Sequence, residues 1–370
     1  MALTNIRFKR PAADGFSKTL RNRVNHYFSD NLISKNGNAN MVTKTVFIMS
    51  LYLVPIFILY TGLIESAWLI FALYMISGIG MAGVGMNVMH DAIHGSYTKS
   101  SQKNRWLGYT MNLIGANATV WKIQHNVLHH TYTNIEGHDD DINPPWFLRF
   151  SPNSRWNAIH KYQHLYTWFF YGLSTISWIT SKDFVRLTRY KKLGFVKGKN
   201  AYRNTLIKVI GWKALYFFYT LILPIILLPV SPLVVIGAFL TMHFMTGLII
   251  SVVFQTAHVM PETEFNMPDH NDTISEEWLA HQVRTTANYC PRSKVFSWLI
   301  GGLNYQIEHH LFPNICHVHY EKISQIVRTT AEEFDIPYQS YQSFGAALKQ
   351  HYRMLRVLGN ARANSLSMNN

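Results

Sequence analysis

Eighteen histidines stand in this 370-residue sequence, and many of them are gathered into short boxes. His90 and His94 belong to His-Asp-Ala-Ile-His. His125, His129 and His130 belong to His-Asn-Val-Leu-His-His. His309 and His310 close Gln-Ile-Glu-His-His, and His258 stands apart. Residues four apart share one face of an α-helix, so each of the first two boxes can present two imidazoles to one point. A chance HxxxH is expected roughly 0.9 times in such a chain, whereas HxxxHH is expected about 0.04 times. The second box is therefore the specific signal. Neutral imidazole is the commonest metal ligand near neutral pH. Eight imidazoles exceed what one ion takes, since a zinc site uses about four protein ligands or fewer, so the count implies two metal ions. Asp91, Asp139, Asp140, Asp141 and Glu308 adjoin the boxes. Each can orient an imidazole through its other nitrogen, ligate directly, or be solvated. His138, beside three of these aspartates, is a further candidate for an orienting role.

The elements that carry the boxes are read from charge and hydropathy. The chain is 48% hydrophobic and 15% charged, against about 25% charged in an average soluble domain. That composition excludes a disordered chain, and two cysteines exclude a disulfide scaffold. Residues 46–64 and 66–89 are charge-free, and 214–257 is a third such run with a Pro-Ser-Pro turn signal near its middle. A bilayer core needs about 20 apolar residues. Four membrane helices follow, at about 46–64, 66–89, 214–230 and 233–257, arranged as two hairpins. The turns within the hairpins carry no Lys or Arg, while 91–213 carries 17. The positive-inside rule puts that connection and both termini in the cytoplasm. All three boxes then fall on one side, because an even number of spans returns the chain there. The fold class expected is an all-α membrane protein: four transmembrane helices in two hairpins, with a cytoplasmic helical cap holding a di-metal site.

Residues 1–45 are expected to form a cytoplasmic segment. Its helix repeats Phe16, Leu20, Val24, Tyr27 and Phe28 beside basic residues and suits a membrane surface; packing against the rest of the protein is the alternative. Histidine-box regions fall at 90–213 and 258–325. Residues 326–370 are expected to be cytoplasmic helices, with a frayed stretch from 360. Residues 1–40 are polar and basic, so the first span is expected to target the chain by itself. Nucleic-acid binding does not fit a chain anchored in this way.

At these boxes the sequence resembles the membrane fatty acid desaturase family over about 65–325. Its third box, Asn304-Tyr305-Gln306-Ile307-Glu308-His309-His310-Leu311-Phe312-Pro313, resembles the subgroup with Gln at the start of that box, which holds front-end and acyl-lipid desaturases. The resemblance implies a desaturase domain at 46–325. It also implies a non-haem centre of two iron ions held by His90, His94, His125, His129, His130, His258, His309 and His310. Gln306 stands where other members have a further His. Zinc binds histidine sites at least as well as ferrous iron, so an inactive zinc form is a further expectation. The implied reaction uses O₂ and two electrons to insert a double bond into an acyl chain carried as acyl-CoA or acyl-lipid. A fused haem domain with His-Pro-Gly-Gly is common in the subgroup and is missing here. Electrons are thus expected from a separate ferredoxin or cytochrome b5, drawn to the basic face.

Trp121, Tyr132, Trp146, Phe147 and Phe150 could line an acyl tunnel, pack ordinarily or form an interfacial belt. Lys122, Arg149, Arg155 and Lys161 could hold a phosphate headgroup or CoA, or be solvated. Two other activities are compatible with clustered membrane histidines. A hydroxylase or ketolase would use the same scaffold. A metal transporter would place its ligands near mid-membrane, whereas seven of these eight histidines lie outside the spans.

Overall fold

The computed structural model describes residues 6–361, so the expected frayed stretch lies outside the described residues from 362 onward. The chain divides into two compact units. One comprises 38–123 and 168–252; the other comprises 6–37, 124–167 and 253–361 of the described residues.

The first unit is built on helices long and apolar enough to cross a membrane: Ala39–Leu59, Ala67–His94, Ala201–Leu227 and Pro232–His258, the last leaving this unit near its end. Their order and pairing match the two expected hairpins, and the boundaries shift most at the starts of the first and third helices. The first helix starts at Ala39, where the Asn38 side chain accepts from the Met41 N–H at 3.3 Å, and it turns at Gly62, whose φ of +72° suits glycine. Lys44 lies within it with its side chain buried. The third helix begins at Ala201 rather than 214 and takes in Lys213. That ammonium lies 2.8 Å from Asp183 and donates to the carbonyls of Gly115 and Trp178 at 2.9 and 2.7 Å. A buried charge is tolerated when it is paired and hydrogen-bonded.

Close helix packing here depends on small residues. A Cβ on Gly80 would stand 2.3 Å from the Tyr52 nitrogen, and one on Gly78 would stand 2.9 Å from the Met242 carbonyl. Small residues at such crossings let backbones approach. His243 is a bundle residue: its imidazole shares hydrogen bonds with Tyr216 Oη at 2.7 Å and Thr175 Oγ1 at 3.2 Å.

The second unit packs the helices Phe16–Asp30, Trp278–Arg284 and Tyr320–Glu333 around Leu20, Val24, Phe28, Val283, Ile323 and Val327. This corrects the interfacial reading of the N-terminal helix. Its apolar row of Phe16, Leu20, Val24 and Phe28 is buried in protein, and Glu277 ties its start by accepting from Ser17. Two short parallel pairs, Arg7–Lys9 with Thr273–Glu277 and Asn288–Tyr289 with Ser340–Tyr341, pin distant segments. Among the described residues there is no closed sheet.

Arg149, a candidate headgroup ligand, is corrected too. It is wholly buried and donates to the carbonyls of Ser154 and Leu358 at 2.9 Å each. It thereby fixes the end of the C-terminal helix Phe344–Leu358.

Candidate metal centre

The second box does not form the α-helical face expected from its spacing. Residues Ile123–His129 wind as a π-helix, and the His130 N–H donates to the His125 carbonyl at 3.0 Å. An i→i+5 bond widens the turn, so residues five apart now share a side. His125 and His130 accordingly bring their Nε2 atoms to 3.2 Å. Such a turn is rare and is found frequently at functional sites.

The third box occupies the buried helix Gln306–Leu311. His309 places its Nε2 3.0 Å from His130 Nε2. His310 stacks on His130 with ring centroids 4.4 Å apart. Its ring lies 4.8 Å from those of His129 and His258, whose own rings are 4.7 Å apart. His258 is the last residue of its long helix. Its carbonyl accepts from Thr263 Oγ1 at 2.6 Å and Asn134 Nδ2 at 3.1 Å. Asn134 has φ +58°, a left-handed conformation that Asn adopts more readily than most residues. The second unit therefore gathers five box histidines and His258 into two adjoining groups: His125, His130 and His309, linked through Nε2 contacts, and His129, His258 and His310, with His310 also stacked on His130.

Each group fits a metal ion. Imidazole nitrogens about 2.0–2.1 Å from one ion stand roughly 3.0–3.4 Å from each other, and the first group already has spacings of 3.0 and 3.2 Å. The second offers one donor atom per residue, all within 4.8 Å of one another. His129 Nε2 and both amide atoms of Gln306 are buried without a hydrogen-bond partner. Orphaned buried polar atoms of this kind are costly and fit a ligand.

The Nδ1 atoms decide which nitrogen points inward. Both oxygens of Asp139 lie 3.0 Å from His129 Nδ1. Asp141 lies 3.3 Å from His125 Nδ1, Gln282 Oε1 2.9 Å from His310 Nδ1, and Tyr320 Oη 3.3 Å from His309 Nδ1. A partner at Nδ1 fixes the tautomer and leaves Nε2 as the donor to a metal. Burial pushes the His129 imidazole down, but the carboxylates of Asp139 and Asp141 outweigh it and lift the group to about 9.

Of the expected orienting groups, Asp139 and Asp141 serve the second box. Glu308 does not face a histidine through the bonds it makes: its carboxylate accepts from Asn288 Nδ2 at 2.8 Å and Tyr338 Oη at 2.9 Å. Burial lifts it to about 7 against those two bonds. His138 packs edge-on against Tyr132 with its Nδ1 3.4 Å from the Glu136 carbonyl.

The sequence reading assigned no role to Gln282, Thr133 or Tyr320. Thr133 Oγ1 lies 2.8 Å from Gln282 Oε1 and 3.2 Å from His310 Nδ1. None of the three stands in a box, and no spacing signal marks them.

The first box belongs to the other unit. His90 and His94 end the helix Ala67–His94 just after a π-helical turn at Val84–Val88, and Gly95 with φ +80° stops it. Their rings are 4.8 Å apart and edge-on to Trp121 at 5.7 and 6.1 Å. Asp91 Oδ1 is 3.8 Å from His90 Nδ1, beyond hydrogen-bond reach.

Comparison with known proteins agrees with this chemistry. The family model described as fatty acid desaturase matches residues 66–342. The chain is 35% identical over 97% of its length, and 99% of the other's, to a protein named sn-1 linoleoyl-lipid 6-desaturase from Synechocystis sp.. A protein of the same name from Arthrospira platensis is 37% identical over 93% of this chain and 92% of its own. An acyl-lipid (8-3)-desaturase from Physcomitrium patens is 34% identical over 94% of this chain and 72% of its own.

Proposed function

The chain belongs to the fatty acid desaturase family of oxidoreductases, and from that premise we propose that it inserts a double bond into the acyl chain of a membrane lipid with O₂ at a histidine-held pair of iron ions. The observation that carries this reading is the double grouping of imidazoles. Three Nε2 atoms lie 3.0–3.2 Å from a neighbour in one group, and donor atoms lie within 4.8 Å in the other. Two such groups suit two ions. When bound, the ions would supply an oxidant strong enough for an unactivated methylene, which no side chain can provide.

The protein's own residues hold and aim. Asp139, Asp141, Gln282 and Tyr320 keep Nδ1 of their histidines engaged, so the Nε2 lone pairs converge. His90 and His94 are proposed to complete the ligand set, with Gln306 as a further ligand through its amide oxygen. The catalytic domain is assigned to 46–325. The box regions and both termini are assigned to the cytoplasmic side, on the 17 Lys and Arg of 91–213. Electrons come from a separate ferredoxin or cytochrome b5 steered to that basic face. The names of the relatives support a lipid-bound linoleoyl group as substrate, attacked at position 6 on the carboxyl side of its existing double bonds.

Expression in a host that has linoleoyl lipids and lacks such a desaturase tests this. The expected product is two hydrogens lighter, with the new bond at position 6 by mass spectrometry of derivatised lipids. His90→Ala and His129→Ala should each abolish it while the protein still inserts in membranes. A product heavier by one oxygen, with no new double bond, overturns the desaturase reading in favour of a hydroxylase.

A further inference from the structure

The helical turn Ala158–Tyr162 and its continuation Gln163–Gly172 are amphipathic in the reverse sense. The inward side carries polar residues, His160, Gln163 and Thr167, all buried. Each is satisfied there. His160 Nε2 pairs with the Trp146 carbonyl at 2.9 Å. Gln163 Nε2 donates to the carbonyls of Arg149 and Leu355 at 3.0 and 2.9 Å. Thr167 Oγ1 donates to the Gln163 carbonyl at 2.6 Å.

The outward side carries Ile159, Tyr162 and Leu165, which are 43%, 55% and 61% exposed. Trp146, 71% exposed, is held beside them by the His160 bond and by Tyr166 Oη donating to the Phe147 carbonyl at 2.6 Å. A helix facing water places its polar residues outward. This one is rigidly built to do the opposite.

Charge selects the occupant. Arg155 and Lys161 are exposed beside the apolar row, and the Lys161 ammonium sits 5.5 Å from the Tyr162 ring centroid. Residues 142–182 contain eleven aromatic residues and no Asp or Glu. A second copy would meet the same positive charge with no carboxylate on that stretch to pair it. Anionic headgroups answer the charge, and the boundary beneath them accommodates Trp and Tyr. We infer that Trp146, Ile159, Tyr162 and Leu165 form an interfacial platform seated in the headgroup layer of an anionic bilayer, a membrane contact additional to the four long helices and independent of the metal centre.

The test uses the full chain in nanodiscs of phosphatidylcholine and phosphatidylglycerol. In a background with Cys290→Ser and Cys316→Ser, Leu165→Cys and, separately, Lys322→Cys carry a nitroxide. Lys322 is an exposed reference position on the helix Tyr320–Glu333. Relative to that reference, the Leu165 label should gain collisions with molecular oxygen and lose collisions with a water-soluble nickel chelate. A label at 165 that behaves like the one at 322 overturns the inference, since the face is then wet. Shielding from both reagents also overturns it, since a protein then covers the face. A second measurement needs no substitution. The unaltered chain in vesicles of the same lipids, with a photoactivatable diazirine high in the acyl chain, should take adducts within 159–165. Absence of adducts there refutes the platform whatever the labelled variants do.

Discussion

Asp139→Asn is the sharpest probe of how the centre is held. The wild-type carboxylate is wholly buried and fully engaged. Its two oxygens stand 3.0 Å from His129 Nδ1 and accept the backbone N–H groups of Asn134 at 2.9 Å and Asp141 at 2.8 Å. Asparagine matches the shape but keeps one acceptor oxygen. Its NH₂ must face one of those backbone donors, and the charge that holds the His129 Nδ1 proton is gone. A hydrogen bond to a charged group contributes about 1.5–3 kcal/mol, which converts to roughly 10- to 150-fold in an equilibrium constant. That range overlaps the 10- to 100-fold loss of metal affinity usual when a group behind a ligating imidazole is removed, about 1.4–2.7 kcal/mol. The assay is chelator competition on purified protein in nanodiscs, with bound metal measured by mass spectrometry, alongside product formation and thermal unfolding. The expected result is a drop of that size in affinity for one of the two ions. Unchanged affinity for both ions in a folded variant would falsify the claim that Asp139 aims His129.

Three further outcomes follow from the same geometry. Gln282→Leu removes the acceptor 2.9 Å from His310 Nδ1 and should weaken metal binding about tenfold or more; metal content after dialysis against chelator reads it, and wild-type retention would exclude the role. His351 is buried with its Nδ1 2.9 Å from the Val259 carbonyl, and burial lowers it to about 4. The unfolded imidazole takes a proton near 6.5 and the folded one does not. This group therefore leaves stability intact above about 6.5 and costs roughly 3 kcal/mol as pH falls to about 4. His351→Gln should flatten that slope in thermal unfolding across the interval, and an unchanged slope would contradict it. Gly80→Ala places a methyl 2.3 Å from the Tyr52 backbone nitrogen. Overpacking of this kind costs about 1–3 kcal/mol or more, so the unfolding temperature should drop clearly, and an unaltered temperature would show that the helix pair can separate freely.

The reach of the sequence differs between spans, site and surface. Apolar run length and loop charge are local quantities, so the four long helices were legible in the sequence, as was the clustering of histidines in the boxes. Where the start of the third helix moved, a long-range contact is responsible. Lys213 reads as the end of an apolar run until Asp183, 30 positions earlier, neutralises it. The apolar row of the N-terminal helix reads equally well as a membrane face or a protein face. Val283, Ile323 and Val327 decide for protein, and no local pattern states that.

The boxes themselves, and the carboxylates following the second, are sequence properties, because ligand identity and short spacing survive any fold. Only tertiary structure decided that the second box winds with five-residue periodicity and pairs His125 with His130. It also decided that Gln282 rather than Glu308 stands behind His310, and that a helix with its polar residues turned inward presents Ile159, Tyr162 and Leu165 to its surroundings. The reason is physical. Which group satisfies a buried nitrogen depends on side chains brought within about 3 Å from remote positions, and the sign of a helix's amphipathicity depends on what its other face meets.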